Sequence, residues 1–165
     1  MTRSLKPLSR QLETVIRYYD GCSRGDIQMM MSALHPDVVH YFLTPNRGSR
    51  PVRGAENLAS YWRHVQQLID AHWLVDHAVI DQSEVVIEWS MFWKPELSSD
   101  RIVTRGSEWF QFTDDRIREI RAYYQQLPQT TQLDKFPYAD RLYSLLGQER
   151  SAVHDGIRGS SRGSE

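Results

Sequence analysis

The hydrophobic pattern changes period near residue 72, and that change limits the folds open to the chain. Upstream, apolar residues recur at helical spacing. Leu8, Leu12, Val15, Ile16 and Tyr19 predict a helix over about residues 8–22. Asp26 is a suitable N-cap for a second, short helix marked by Ile27, Met30, Met31 and Leu34, which His35-Pro36 ends. "VVHYFL" (38–43) reads as a strand and "TPNRGSRPVRG" as a loop. Leu58, Tyr61, Trp62, Val65, Leu68 and Ile69 then trace the clearest amphipathic helix. Downstream the period is 2. "HWLVDHAVI", "VVIEWSMFW", "RIVTRGSEWFQF" and "IREIRAYYQ" read as four strands, with "DQSE" and "TDDR" as hairpin turns. Two successive long hairpins predict a curved antiparallel sheet, with Gly106 as a bulge or bend. Helices segregated to one side of such a sheet make an α+β domain. The expected shape is a cone: a strongly curved antiparallel sheet closed by three N-terminal helices, enclosing a pocket for a small, largely apolar ligand.

One domain is expected over residues 1–146, with 127–146 as a C-terminal helical extension built on "LDKFPYADRLYSLLG" and ended by Gly147. Residues 147–165, rich in Gly, Ser and Arg, are expected to form a flexible tail. The 20 basic and 21 acidic side chains nearly cancel, which argues against nucleic acid as a partner. No apolar run is long enough to span a bilayer, so no membrane association is expected. A single cysteine, Cys22, allows no internal disulfide, points to a cytoplasmic setting, and is expected as a small buried thiol. No metal-ligand spacing, phosphate loop or nucleophile elbow appears, so neither metal nor cofactor is expected.

Within the third of the four strands, Glu108 stands among Trp109, Phe110 and Phe112. An unpaired buried carboxylate is costly. Either Glu108 faces a cavity that uses its chemistry, or it pairs at the surface with Arg105, Arg118 or Arg121. An inward Glu108 brings Thr104, Gly106, Phe110 and Phe112 with it. His40 is the one histidine with a plausible inward strand position, and its ordinary pKa suits proton transfer.

"VIRYYDGCSRGDIQMMMSALHPDVVHYF", the "RG" before the third helix, "VVIEW" and "FQFTDDRIREIRAYY" resemble the nuclear transport factor 2-like superfamily. Its SnoaL-like polyketide cyclases and ketosteroid isomerases are the nearest types, and the resemblance covers residues 8–126. It implies that Tyr18, seven residues before Gly25, and Glu108, two before Phe110, hold a substrate oxygen. The base aspartate of the steroid isomerases corresponds to Phe42, which leaves His40, on the same strand face, to move the proton. Where limonene epoxide hydrolases carry an aspartate, this chain has Ala122. The resemblance further places Ile120, Ala122 and Tyr124 inward on the last strand, and Val86, Glu88, Ser90 and Phe92 inward on the second of the four.

The expected catalytic set is therefore Tyr18, His40, Glu88 and Glu108. The expected substrate-binding set is Phe42, Trp62, Ser90, Phe92, Phe110, Ala122 and Tyr124, with Trp62 at the pocket mouth. The implied activity is a cofactor-independent isomerisation, cyclisation or dehydration of a small hydrophobic molecule bearing oxygen. The alternative is a non-catalytic ligand-binding module of the same fold. A homodimer is implied by analogy in either case.

Overall fold

The computed structural model describes residues 9–46, 48–95, 98–149, 151 and 153. Helix α1 spans Arg10–Arg24, with Ser9 capping it by accepting from the Leu12 amide at 3.2 Å. Gly25 closes it in the left-handed region at φ 64°, a conformation that costs glycine little. Helix α2, Ile27–Ala33, is short, and its cap is correspondingly important: Asp26 accepts from the Met29 amide at 2.9 Å. Asp26→Ala is expected to cost about 1 kcal/mol in urea denaturation, because the first turn loses the acceptor for one of its free amides. Helix α3, Ala55–Ile69, follows the two-residue strand β2, Val52–Arg53.

The remaining strands are β1 (Leu34–Phe42), β3 (His72–Asp81), β4 (Glu84–Trp93), β5 (Ile102–Thr113) and β6 (Arg116–Tyr123). They form one sheet in the order β2-β1-β6-β5-β4-β3. The sheet is mixed rather than wholly antiparallel: β1 runs parallel to β6, pairing His40 with Ile120 and Phe42 with Ala122. Hairpin turns dictate the neighbours of β3 to β6 only. β1 reaches its place at the other end of the chain's long-range contacts, where no local signal announces it.

The three helices cover one face of the sheet. Val15, Ile16, Tyr19, Met30, Leu58 and Trp62 pack there against Trp73, Val85, Ile87, Trp89, Met91, Phe110, Ile117 and Ile120. Register irregularities fall between Val75 and His77 and between Gln111 and Phe112. The ladder runs unbroken through Gly106, opposite Trp89. A Cβ at position 106 would lie 2.4 Å from Cζ2 of Trp89, so the glycine makes room for an indole and is not a bulge.

β4 corrects its sequence reading. Its odd-numbered residues face the helices, because Ile87 pairs with Glu108 and Trp89 with Gly106. Val86, Glu88, Ser90 and Phe92 therefore lie on the opposite, outer face. The strand is apolar on both sides, since the outer face is itself covered, and alternation could not tell the two apart.

The cover is the C-terminal segment, and it is not the expected helix. Residues 127–149 run as turns, with one bridge from Thr131 to Thr104. Lys135, Leu142 and Gly147 adopt left-handed φ values of 56°, 59° and 87°, each of which ends a helical path. Leu142 and Leu146, which complete the helical stripe on paper, are exposed. Phe136, Tyr138 and Tyr143 form an edge-on aromatic cluster instead. Most of the expected tail lies outside the described residues; Ser151 is buried and donates to the Val75 carbonyl at 2.5 Å. No helix among the described residues is long and apolar enough to cross a membrane.

Candidate active site

Glu108 projects from the middle of β5 into the space between sheet and helices, where it is 3% exposed. The α1 face turned toward it carries two adjacent tyrosines. Tyr19 donates its hydroxyl proton to Oε2 of Glu108. Tyr18 lines the same cavity, near Cys22 and Trp62, with a hydroxyl that makes no hydrogen bond of good geometry. Burial pushes both phenols well above their ordinary range, so they remain donors throughout the working pH range.

His40 enters from β1, wholly buried, with Nε2 at 3.9 Å from Oε1 of Glu108. Neither ring nitrogen has a partner among the described residues. Phe42 stacks on its ring at 4.2 Å between centroids, and Trp62 tilts against it at 5.5 Å. Burial raises the Glu108 carboxyl from 4.5 to about 8, a rise that the Tyr19 hydrogen bond reduces. Burial alone lowers the His40 imidazole from 6.5 to about 3. At neutral pH both are therefore uncharged, and the close approach is a carboxylic acid beside a neutral imidazole, not an ion pair.

Tyr18, Tyr19, Cys22, His40, Trp62, Trp73, Trp89, Glu108 and Tyr124 enclose a cavity of about 10 Å³. That is room for roughly one water molecule. The hydroxyl of Tyr18, both nitrogens of His40 and the indole N–H groups of Trp62 and Trp89 are buried without partners around it. Each such group costs about 1–3 kcal/mol, a cost that an oxygen-bearing ligand would offset.

Of the residues anticipated from sequence, Tyr18, His40, Trp62, Glu108 and Tyr124 line this cavity. Phe42, Phe110 and Ala122 stand just behind it: Phe42 under His40, Phe110 edge-on to Tyr19 at 6.2 Å, and Ala122 opposite both Glu108 and Phe42 in the ladders. Glu88, Ser90 and Phe92 do not reach it. Glu88 accepts from the Tyr143 hydroxyl on the outer face, and Ser90 donates to Asp76 there. Phe92 is buried on that same face. Tyr19, Trp73 and Trp89 were missed. For Tyr19 the signal was present, since successive positions of a helix are only ~100° apart and both members of a tyrosine pair can face one cavity. Cys22 is the buried thiol expected, with Sγ at 3.6 Å from the Met30 sulfur, and it also borders the cavity.

These features agree with comparisons to known proteins. A family profile described as the SnoaL-like domain matches residues 15–120. A protein of unknown function with a cystatin-like fold from Methylobium petroleophilum PM1 shares 34% identity, covering 85% of this chain and 95% of its own, with a TM-score of 0.63. A protein provisionally designated a polyketide cyclase, from Xanthomonas campestris pv. campestris, shares 22% identity over 70% of this chain and 90% of its own, at a TM-score of 0.58. A nuclear transport factor 2-like protein of unknown function from Burkholderia pseudomallei K96243 superposes at 0.63, with 17% identity over 72% of this chain and 92% of its own. No curated protein matches. A curved sheet closed by three helices, a buried acid facing a helix tyrosine, and a matched profile over most of the sheet lead to one assignment: the chain belongs to the SnoaL-like family, with the nuclear transport factor 2-like fold.

Proposed function

We propose that the protein is a cofactor-independent acid–base enzyme acting on a small, largely apolar molecule that bears oxygen, by isomerisation, cyclisation or dehydration. The observation that carries this reading is the pair Glu108 and His40, 3.9 Å apart in one buried cavity with the Tyr18 hydroxyl beside them. Environments that push two titratable groups in opposite directions mark an acid and a base. Glu108, holding its proton at neutral pH, gives it to the substrate oxygen, assisted by Tyr18. His40 Nε2 takes a proton from the adjacent carbon. A lone imidazolium is disfavoured in so dry a site, which is why the His40 pKa is low. When Glu108 has given up its proton, its carboxylate lies next to that imidazolium and offsets the cost. The enol so formed can return a proton at another carbon, close a ring or expel hydroxide as water.

The test uses a small cyclic ketone, 2-tetralone, and follows exchange of its α-protons in deuterated water by NMR. Glu108→Gln and His40→Ala are each expected to slow protein-catalysed exchange by about 10²-fold. Wild-type exchange no faster than buffer, or variants equal to wild type, would sink the mechanism. A second reading, a non-catalytic binding module, is favoured by one observation: where the steroid isomerases have a base, Phe42 stacks on His40. Saturable 2-tetralone binding without exchange would select it. A homodimer, expected by analogy, would use the outer-face aromatics, the exposed Tyr41 and Tyr123 and the half-buried Trp109.

A further inference from the structure

The cavity that holds the acid–base pair offers about 10 Å³, too little for any organic substrate. A second cavity, of about 340 Å³, lies under the C-terminal segment on the outer face. Trp89 borders both. β6 leaves β5 after Tyr123 pairs with Ser107, and Thr131 takes over only at Thr104 and Arg105. Gly106 falls in the interval, and it has no side chain to fill it. The Trp89 indole lies over that glycine, edge-on to Tyr124 at 5.1 Å, with its N–H unpartnered. Tyr124 faces the inner cavity and the next residue, Gln125, the outer one. A single ring thus stands between the chemistry and the space.

We propose that Trp89 is a partition between the two halves of one site, and that the outer cavity receives the far end of the substrate. This rests on the acid–base reading of Glu108 and names the class of molecule it acts on. Trp89, Phe136, Tyr138 and Tyr143 give the outer cavity aromatic walls, which suit a flat ring. Its one arginine and two acids are engaged by protein groups. Arg105 is held by Ser90, the Ser144 carbonyl and, at 3.7 Å, Asp76, with the Tyr138 ring 4.1 Å from the guanidinium. Glu88 is held by Tyr143. The polar groups left for a ligand are the neutral side chains of Ser107, Gln125 and Gln132, and the Nε–H of Arg105, which is buried without a partner. The substrate is therefore an uncharged, flat, multi-ring molecule with oxygen at both ends, one for Glu108 and Tyr18 and one for the outer amides.

The probe is 2,6-dihydroxynaphthalene, whose emission responds to hydrogen bonding at its hydroxyls. Its binding to the full chain is followed by fluorescence titration and stopped flow at pH 6.5. Ser107→Trp, and Gln132→Trp at an exposed position that tolerates bulk, each fill the outer cavity and are expected to weaken binding at least tenfold. Trp89→Phe shortens the partition and is expected to speed association at least tenfold. Glu108→Gln is expected to shift the emission of the bound probe. No binding to wild type, or wild-type affinity in both filled variants with an unchanged association rate in Trp89→Phe, overturns the proposal. If Glu108→Gln still shifts the emission in that second case, the Glu108 reading survives alone. If the filled variants lose binding but Glu108→Gln leaves the emission unchanged, the outer cavity is a separate site and the proposal falls with the acid–base reading of this ligand.

Discussion

Glu108→Gln is expected to gain stability relative to wild type as pH rises, while losing the activity proposed for the cavity. The unfolded chain releases the Glu108 proton near the ordinary value of 4.5, the folded chain near 8. Between those values the folded state holds more protons than the unfolded one, so this group's contribution to stability falls as pH rises. His40 works in the other direction. Its folded pKa of about 3 lies below the ordinary 6.5, so it lowers stability as pH falls through that window. Both groups act in wild type between about pH 4.5 and 6.5, but the His40 contribution is common to wild type and variant and cancels in their difference. That difference is expected to grow by about 3 kcal/mol between pH 5 and pH 8, following ~1.4 kcal/mol per pKa unit. Glutamine keeps an acceptor for the Tyr19 hydroxyl, so the helix contact survives the change. Paired urea denaturation of the two proteins at pH 5, 6.5 and 8 measures it. A constant difference across the series would mean that Glu108 is ionised in the folded state, and the neutral-acid mechanism would go with it.

The same energetics explain why such an acid persists. A carboxyl held neutral above its ordinary pKa burdens the fold, and a group so perturbed in a cavity is a candidate for function. Tyr19 is the supporting group: its hydrogen bond orients Oε2 and leaves Oε1 directed at His40. In the proposed mechanism Tyr19 positions the acid, while Tyr18, unpartnered, meets the ligand.

How far the sequence could be read depended on whether a pattern was local. The helices and the four long strands were legible because each buries one stripe or one face, and periodicity records that. Glu108 was legible because a charge inside "SEWFQF" violates the pattern around it. Asp76 violates "HWLVDHAVI" in the same way, and it is 2% exposed. The parity of β4 was not legible, because a face covered by a distant segment looks as apolar as the core. The parallel pairing of β1 with β6 and the turns of residues 127–149 were illegible for a related reason. Each is settled by contacts from far along the chain, Arg105 with Tyr138 and Thr104 with Thr131 among them. The helical spacing of "FPYADRLYSLL" was genuine as arithmetic, but the segment packs Phe136, Tyr138 and Tyr143 edge-on instead.

That covering segment is the subject of the second large effect. Asp76 on β3 accepts from the amide and the hydroxyl of Ser144, at 2.8 and 2.6 Å, and from Ser90, while Arg105 stands 3.7 Å away. Arg105 in turn donates to the Ser144 carbonyl at 2.7 Å. Burial raises the Asp76 pKa despite these hydrogen bonds and the arginine, so the pair is not a large net source of stability. Breaking it is another matter. Asp76→Ala leaves a guanidinium with an 11% exposed side chain uncompensated and removes Oδ1, the oxygen that accepts both hydrogen bonds from Ser144. The expected cost is about 3 kcal/mol or more. Arg105→Met in the same background removes the stranded charge, so the double variant is expected to be more stable than Asp76→Ala alone. Limited proteolysis locates the damage: cleavage within residues 127–149 should rise in Asp76→Ala while the sheet and α1 stay protected. If the double variant is no more stable than the single, the cost lies in the lost Ser144 anchor and not in the orphaned charge. If neither variant exposes the segment, Asp76 is not what holds the outer cover in place.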